Sequence, residues 1–168
     1  MNNEILFAES QRFRQWWVWV FLLAINGIFI YGVVLQVFAG RQFGDNPMSD
    51  AGLVIVAVLL ILLSFLVLSF RLDTRINKEG IYVRFFPLQL AYRFYPWTGV
   101  VKCYTRQYSP IGEFGGWGIR GFDGYKALNV SGNTGLQLEL AGNKKLLIGT
   151  NKKDELEKVL IAHGLMKQ

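Results

Sequence analysis

The stretch GLQLELAGNKKLLIGTNKKDELEKVL, residues 135–160, decides the fold of the C-terminal half of the chain. In its first part, leucines at alternate positions are separated by Gln137 and Glu139, which is the two-residue period of a strand with one buried face. A glycine-containing turn and a second apolar segment follow. Asn151 is then a suitable N-cap for a final helix whose first turn is acidic. The stretch predicts two strands followed by an amphipathic helix.

The same alternation extends back to Arg71. It recurs in the segments LDTRI, IYVRFF, AYRFYP, GVVKCYTRQY, WGIRGF and YKALNV. With the two strands above, these make about eight candidate strands, of which about seven are regular. Burial on one face is typical of an antiparallel sheet, and closure of the sheet would hide its edges. Residues 71–168 are therefore predicted to form an antiparallel β-barrel of about seven strands, capped by a C-terminal α-helix.

The N-terminal part of the chain has a different pattern. The mean hydropathy of the chain is positive, although its 168 residues include 18 Lys and Arg and 12 Asp and Glu. The charges are absent from two long apolar segments, residues 16–38 and 51–70. Each segment is long enough to cross a hydrocarbon core of about 30 Å as a helix. A single segment in lipid has to be helical, because only a helix makes all of its backbone hydrogen bonds within itself. The pattern predicts a membrane-anchored α+β protein.

The predicted domains follow from these boundaries. Residues 1–15 form a juxtamembrane N-terminus, residues 16–70 a transmembrane helical hairpin with a short external linker at 39–50, and residues 71–168 the barrel domain. A secretory signal peptide is the alternative for the first segment, but its apolar region is usually only about 7–15 residues long. The group Trp16, Trp17 and Trp19 suits an interfacial membrane anchor better.

The distribution of Lys and Arg predicts the orientation of the hairpin. Arg12 and Arg14 precede the first segment, and further basic residues follow the second, whereas the linker contains only Arg41. Because short cytoplasmic segments are enriched in Lys and Arg, both termini are predicted to be cytoplasmic. The single cysteine, Cys103, fits a reducing compartment and is predicted to be a core residue.

Two runs carry a resemblance to a known family. GGWGIRGF (115–122), followed by NVSGNTGLQLELAGNKKLLIGTNKKDELEKVL (129–160), resembles the end of the bacterial PH-like (pleckstrin-homology-like) domains of small membrane proteins. Two apolar segments preceded by QRFRQWW (11–17) fit the same layout. The resemblance implies a seven-stranded barrel with a C-terminal helix, in a multi-pass protein of the bacterial inner (cytoplasmic) membrane. It implies no activity, because a fold alone does not name a function.

The sequence gives little support for catalysis. His163 is the only histidine, and no metal-binding or nucleophile motif is present. The run GWGIRG matches the G-x-G-x-x-G pattern of dinucleotide sites, but no helix pattern follows it. We therefore predict a protein that is not an enzyme and has no cofactor and no metal. Within the same run, Trp117 and Arg120 are candidate partner-binding residues, with a core role for the tryptophan as the alternative.

Basic residues suggest a second kind of contact. Residues 71–168 contain 15 Lys and Arg and 8 Asp and Glu. Arg71, Arg75 and Lys78 follow the second apolar segment closely and are candidate contacts to lipid head groups. The leading hypothesis is a membrane-tethered protein-interaction or assembly domain, whose partner is another protein or the chain itself. The alternative is a module that reads anionic lipids or membrane state. No nucleic-acid partner is predicted, because no basic helix or RNA-binding signature is present.

Overall fold

The computed structural model describes residues 4–13, 15–122 and 124–167. The described residues form two compact units. The first, which we call the helical hairpin, consists of residues 15–69. The second, which we call the β-domain, combines the described residues up to Phe13 with those from Phe70 onward. The β-domain is therefore interrupted in the sequence by the hairpin.

The helical hairpin consists of two apolar helices. Helix α1 spans Trp16–Val33 and continues as a π-helical turn over Val34–Phe38, and helix α2 spans Asp50–Ser69. Both are long enough and apolar enough to cross a membrane. They agree with the two apolar segments of the sequence.

Polar contacts join the two helices of the hairpin at mid-span and near the connecting loop. The Asn26 side-chain amide donates a hydrogen bond to the Ser64 hydroxyl at 2.7 Å. Near the connecting loop, the Gln36 amide donates to the Asp50 carboxylate at 2.7 Å. The rest of the helix surface is almost entirely apolar, so these few bonds help to fix the register of the two helices.

The β-domain contains two open sheets, which we call sheet A and sheet B. Sheet A has the spatial order β1 (Ile5–Arg12), β2 (Arg71–Asn77), β3 (Gly80–Phe86) and β4 (Arg93–Pro96). Sheet B has the order β5 (Val100–Gln107), β8 (Thr134–Leu140), β9 (Lys144–Gly149), β7 (Tyr125–Asn129) and β6 (Gly118–Phe122). Helix α3 (Pro110–Phe114) precedes β6, and helix α4 (Lys153–Ala162) follows β9.

The prediction of a closed antiparallel barrel of about seven strands is wrong. The described strands form one sheet of four and one of five, and β7 pairs with β9 in parallel. A short 3-10 turn, Trp97–Gly99, separates β4 from β5, so consecutive strands enter different sheets. Strand β4 has only four residues and ends in Pro96, which has no N–H to extend a ladder. These features leave the two sheets open at their edges.

Strand β1 is an unexpected part of the β-domain. Its residues pair antiparallel with β2, with Arg12 opposite Arg71 and Ala8 opposite Arg75. The sequence analysis places this segment in a juxtamembrane N-terminus outside the domain. Its strand pattern is concealed because two of the inward positions are polar, Glu9 and Gln11, and both are buried.

The larger of two hydrophobic clusters described in the β-domain includes residues of both sheets and of α4. Its fully buried members include Leu72, Ile81, Leu138, Ile148 and Leu160. Leucines of β8 at alternate positions face this core, as the sequence predicts. Burying such a side chain contributes about 1.5–3 kcal/mol, so this shared core is the main stabilising feature of the domain.

The final helix begins differently from the prediction. Lys152 occupies the N-cap position of α4, and its side chain makes no capping hydrogen bond. Asn151, the predicted cap, instead donates to the Ser131 hydroxyl at 2.9 Å. The acidic first turn is as predicted, with Asp154 and Glu155 near the N-terminus of the helix. The helix dipole is therefore balanced by charge rather than by a side-chain cap.

Side-chain hydrogen bonds connect β1 to the last residue of β9 and to the two residues that follow it. Glu9 accepts hydrogen bonds from the Thr150 hydroxyl at 2.6 Å and the Asn151 N–H at 2.9 Å. Gln11 donates to the Gly149 carbonyl at 2.6 Å. We call this group of contacts the seam. It joins sheet A to sheet B on one side of the β-domain without a continuous strand ladder.

Candidate functional site

On the side of β4 and β6, the two sheets are not joined. No strand pairing links β4 to β6 among the described residues, and an open groove lies between them. Its two adjoining sections have volumes of about 330 and 170 Å³ and share Arg93, Tyr95, Lys126 and Leu146 as lining residues. Leu128 and Leu146 are buried, so apolar side chains form the floor. We call this feature the inter-sheet groove.

The polar side chains of the inter-sheet groove are predominantly basic. Its described lining contains no Asp or Glu, and its Arg and Lys side chains are Arg93, Arg120, Lys126, Lys144 and Lys145. Lys145 has an acidic neighbour, Glu139, at 3.4 Å. Among the described residues, the other four cations have no ion-pair partner within 4 Å. The groove therefore combines an apolar floor with positive charge that is not neutralised by these residues.

Sheet A carries a second basic surface. Arg71, Arg75 and Arg84 lie on its outer face, and we call these three residues the arginine face. The guanidinium of Arg71 lies 5.0 Å from the ring centre of Phe86. Those of Arg75 and Arg84 lie 4.9 and 4.5 Å from the ring centre of Tyr92. These cation–π contacts hold the long side chains against the sheet.

A single buried carboxylate lies within the arginine face. Asp73 accepts hydrogen bonds from Arg84 at 2.6 and 3.1 Å and from the Ser10 hydroxyl at 2.7 Å. The Nε atom of Arg71 lies 3.1 Å from the same carboxylate. Burial alone raises the pKa of Asp73, but the hydrogen bonds and the two nearby positive charges outweigh burial and lower it. Arg75 is outside this ion pair and exposed.

The structure brings together only two of the three predicted lipid contacts. Arg71 and Arg75 share the outer face of β2. Lys78 follows the other end of that strand, about 20 Å from Arg71 at the usual rise per residue. Its ammonium group lies 3.6 Å from Glu4, and both side chains are well exposed. Proximity in sequence to the apolar helix therefore does not place Lys78 beside the other two.

The predicted partner contacts, Trp117 and Arg120, are adjacent. Arg120 is exposed, and its Nε atom donates to the Trp117 carbonyl at 2.9 Å. The Trp117 side chain is half-buried. One part of it packs within the domain, as a core residue would, and the rest is accessible to a partner. Beside them in β6, Phe122 is 90% exposed, which the sequence analysis does not single out. The predicted membrane anchors Trp16, Trp17 and Trp19 are exposed on α1.

A polar network covers the outer face of sheet B. Arg106 donates to Glu113 of α3 at 2.7 Å and to Gln137 of β8 at 3.0 Å. Tyr125 also donates to Gln137, at 3.2 Å. The hydrogen bond from Arg106 is the main reason that the pKa of Glu113 is lowered. This network explains why Gln137, predicted to lie on a polar outer face, is buried.

The described residues contain no cluster of metal-ligating side chains and no reactive thiol. No group of three or more His, Cys, Asp and Glu in the described ranges is placed to hold a metal ion. Cys103 is fully buried, and burial raises the pKa of its thiol to about 12. At neutral pH the thiol is therefore protonated and weakly nucleophilic, as expected for a core residue.

No protein-family model, curated protein or solved structure matches this chain.

Proposed function

We propose that this chain is a non-enzymatic, membrane-tethered module whose PH-like β-domain binds anionic lipid head groups at the cytoplasmic face of a bacterial inner membrane. The observation that carries the proposal is the arginine face, where aromatic rings hold Arg71, Arg75 and Arg84, and the one buried carboxylate pairs with Arg71 and Arg84 only. The open two-sheet arrangement with a C-terminal helix supports a PH-like relationship without a closed barrel.

Short chain connections support this location. Three residues separate Arg12 of β1 from Trp16 of α1, and one residue separates Ser69 of α2 from Arg71 of β2. An extended chain spans at most about 3.5 Å per residue. If the apolar helices cross a membrane, these connection lengths limit how far this end of sheet A can lie from its surface. Phe13 and Phe70, whose rings pack edge to face at 6.3 Å, keep the two connections side by side.

The charges at this end fit an anionic surface. Arg12 and Arg71 are opposite each other in the β1–β2 ladder, and Arg75 lies further along the same face. Each Lys or Arg near an anionic leaflet contributes about 1 kcal/mol. Arg12 and Arg75 together would contribute about 2 kcal/mol, which changes an equilibrium roughly 30-fold.

A site-specific fluorophore tests this proposal in the full-length protein. Ala8 is exposed on the outer face of β1, opposite Arg75. An Ala8→Cys variant can be labelled selectively because Cys103 is buried. The labelled protein is placed in nanodiscs of phosphatidylcholine, with or without phosphatidylglycerol, that carry a quencher on the lipid head groups.

Phosphatidylglycerol should increase the quenching, and salt at high concentration should reverse the increase, because the attraction is electrostatic. Arg12→Gln with Arg75→Gln should remove most of the increase. Lys102→Gln with Lys158→Gln, two exposed lysines elsewhere in the β-domain, is the control with the same charge change. Equal quenching in both lipid mixtures, or equal loss in the control, would refute the lipid-binding role.

A protein partner is the second candidate function. It is favoured by Phe122, whose side chain is 90% exposed next to Arg120 in β6. Exposed aromatic residues beside arginine are common in interface hot spots. When the full-length protein is captured from detergent, a specific partner protein should be recovered with the Arg12→Gln, Arg75→Gln variant but not with Phe122→Ala. Capture that is identical in the two variants would remove the support for a contact through β6.

A further inference from the structure

We propose that the inter-sheet groove is a binding site for a membrane-derived, single-chain lipid with an anionic head. In this arrangement Arg93, Lys126 and Lys144 bind the head, and the alkyl chain lies over Leu128 and Leu146. The proposal deepens the proposed lipid-binding function, on which it rests, and assigns a separate site from the arginine face.

The shape and floor of the groove suit an alkyl chain. The larger section, about 330 Å³, falls within the usual size of ligand pockets. Tyr95 and Ile119 line it together with the buried Leu128 and Leu146. A chain in this section would contact these apolar side chains, with Arg93 and Lys126 beside it to meet its head. The section is open to solvent between β4 and β6, so an occupant can enter without separation of paired strands.

The charge of the groove indicates the head. Arg93 comes from β4, Lys126 from β7 and Lys144 from β9, so three separate strands supply cations to one opening. Surfaces that serve solubility alone usually intersperse both signs of charge. Here the described lining contains no acidic residue. An anionic head would supply the missing negative charge and would form charge-assisted hydrogen bonds with the Lys and Arg side chains.

The direction of the groove suggests how a lipid is oriented. Lys144 lines the smaller section, whereas Leu88 lines only the larger one. Leu88 belongs to the β3–β4 loop and is 65% exposed. Because Phe86 pairs with Arg71, this loop leaves sheet A at the end that carries both connections to the hairpin. The alkyl chain would point toward Leu88 and the head toward Lys144, so that a lipid enters with its apolar end nearest the connections.

Binding of defined amphiphiles to the full-length protein tests the site. The protein is held in a non-ionic amphipol and titrated calorimetrically with decyl phosphate, which has both an anionic head and an alkyl chain. Decanol provides the chain alone, and inorganic phosphate provides the anion alone. We expect one decyl phosphate per chain, bound at least 10-fold more tightly than either of the other two probes.

Variants then locate the binding. Arg93→Gln with Lys126→Gln should weaken the binding of decyl phosphate at least 10-fold, whereas Lys102→Gln with Lys158→Gln should leave it unchanged. All four side chains are exposed, and thermal unfolding is to be measured to check that each variant is folded. Decanol or inorganic phosphate bound as tightly as decyl phosphate would overturn the proposal. So would equal weakening in the two double variants.

The same variants separate this site from the proposed function. Arg12→Gln with Arg75→Gln removes charges of the outer face of sheet A and should leave decyl phosphate binding intact. If that variant alone loses decyl phosphate, the probe binds to sheet A and the groove assignment is wrong. If decyl phosphate binds as expected but phosphatidylglycerol does not change head-group quenching at Ala8→Cys, the groove assignment stands and the membrane-surface role fails.

Discussion

The two sides on which sheet A and sheet B approach each other are built differently. At the seam, Glu9 and Gln11 reach across from β1 and are hydrogen-bonded to residues 149–151. At the inter-sheet groove, the side chains of Arg93 and Lys126 face an open space. At the seam, the Glu9 carboxylate and the Gln11 side-chain N–H group are buried and have hydrogen-bond partners, whereas the cationic side chains on the other side are exposed.

This difference separates stability from binding within one small domain. A buried hydrogen-bonding group contributes to folding because its unpaired form is costly. An exposed cation in a row of cations contributes little to folding, and repulsion between like charges opposes it. Substitutions at the seam should therefore lower the free energy of unfolding even without a ligand. Substitutions in the groove should have a clear effect only when a ligand is bound.

Removal of β1 should have the largest effect on stability. A fragment of residues 70–168 lacks the buried Phe7 and the whole seam, and it leaves β2 as an unpaired edge. Loss of a buried phenylalanine alone costs about 3–5 kcal/mol, which approaches the total stability of many domains. We expect this fragment to be largely unfolded by circular dichroism and to give poorly dispersed NMR spectra.

The matched chain keeps β1 and omits the hairpin. Because Arg12 and Arg71 are cross-strand partners, residues 1–13 and 70–168 can be joined through Asn-Gly, which favours a two-residue hairpin turn. We expect this chain to be folded and to unfold in a cooperative transition as urea is added. A shorter fragment that is as stable as the joined chain would show that β1 is dispensable.

The Glu9→Ala change tests the seam at a single residue. It removes the acceptor for the Thr150 hydroxyl and for the Asn151 N–H. We expect the free energy of unfolding of the joined chain to fall by about 2 kcal/mol, because hydrogen bonds to charged groups are among the stronger ones. Glu4→Ala is the control, since the ion pair of Glu4 with Lys78 is exposed and should contribute less than about 1 kcal/mol. Similar midpoints for the two variants in urea would contradict the role of the seam.

Asp73 should make the outer face of sheet A sensitive to acid. Its pKa is lowered in the folded state, so its contribution to stability is present above the ordinary Asp pKa of about 3.9 and is lost as the pH falls through the lower, folded value. We expect Asp73→Asn to destabilise the joined chain by about 1–2 kcal/mol at pH 7. The difference from the parent should decrease below about pH 4. Urea titrations between pH 2 and 7 measure it, and a difference that is independent of pH would contradict the ion-pair argument.

The smallest effect on stability is expected in the groove. Lys126 is exposed and lies among other cations. Lys126→Gln should change the free energy of unfolding by no more than about 0.5 kcal/mol, as is usual for surface substitutions. A loss as large as that of Glu9→Ala would mean that the groove has a structural role, and the contrast between the two sides would disappear.

The sequence predicts the elements with a strong local pattern. The apolar helices, most of the strands from Arg71 onward and the acidic first turn of α4 follow from periodicity and composition. Local pattern does not predict strand β1, because Glu9 and Gln11 occupy inward positions and their burial depends on partners about 140 residues away. Nor does it predict sheet closure, because strand propensity does not specify which edges pair.

The candidate site was only partly predictable for the same reason. Arg71 and Arg75 could be placed on one face because they are four residues apart in a strand. Arg93, Lys126 and Lys144 are distant in sequence, and only the pairing of β7 with β9 and the turn after β4 bring them to one groove. No local signal connects them. Arg120 was singled out from its neighbour Trp117, not from the groove that it lines.

Hydrogen–deuterium exchange of the full-length protein, with and without decyl phosphate, tests the contrast between the two sides most directly. Binding in the groove should slow amide exchange in β4, β6 and β7 and leave residues 5–12 and 149–151 unchanged. That result would place the ligand on the open side of a domain whose other side is already closed. Slower exchange at the seam, or no local change at saturating decyl phosphate, would contradict the account.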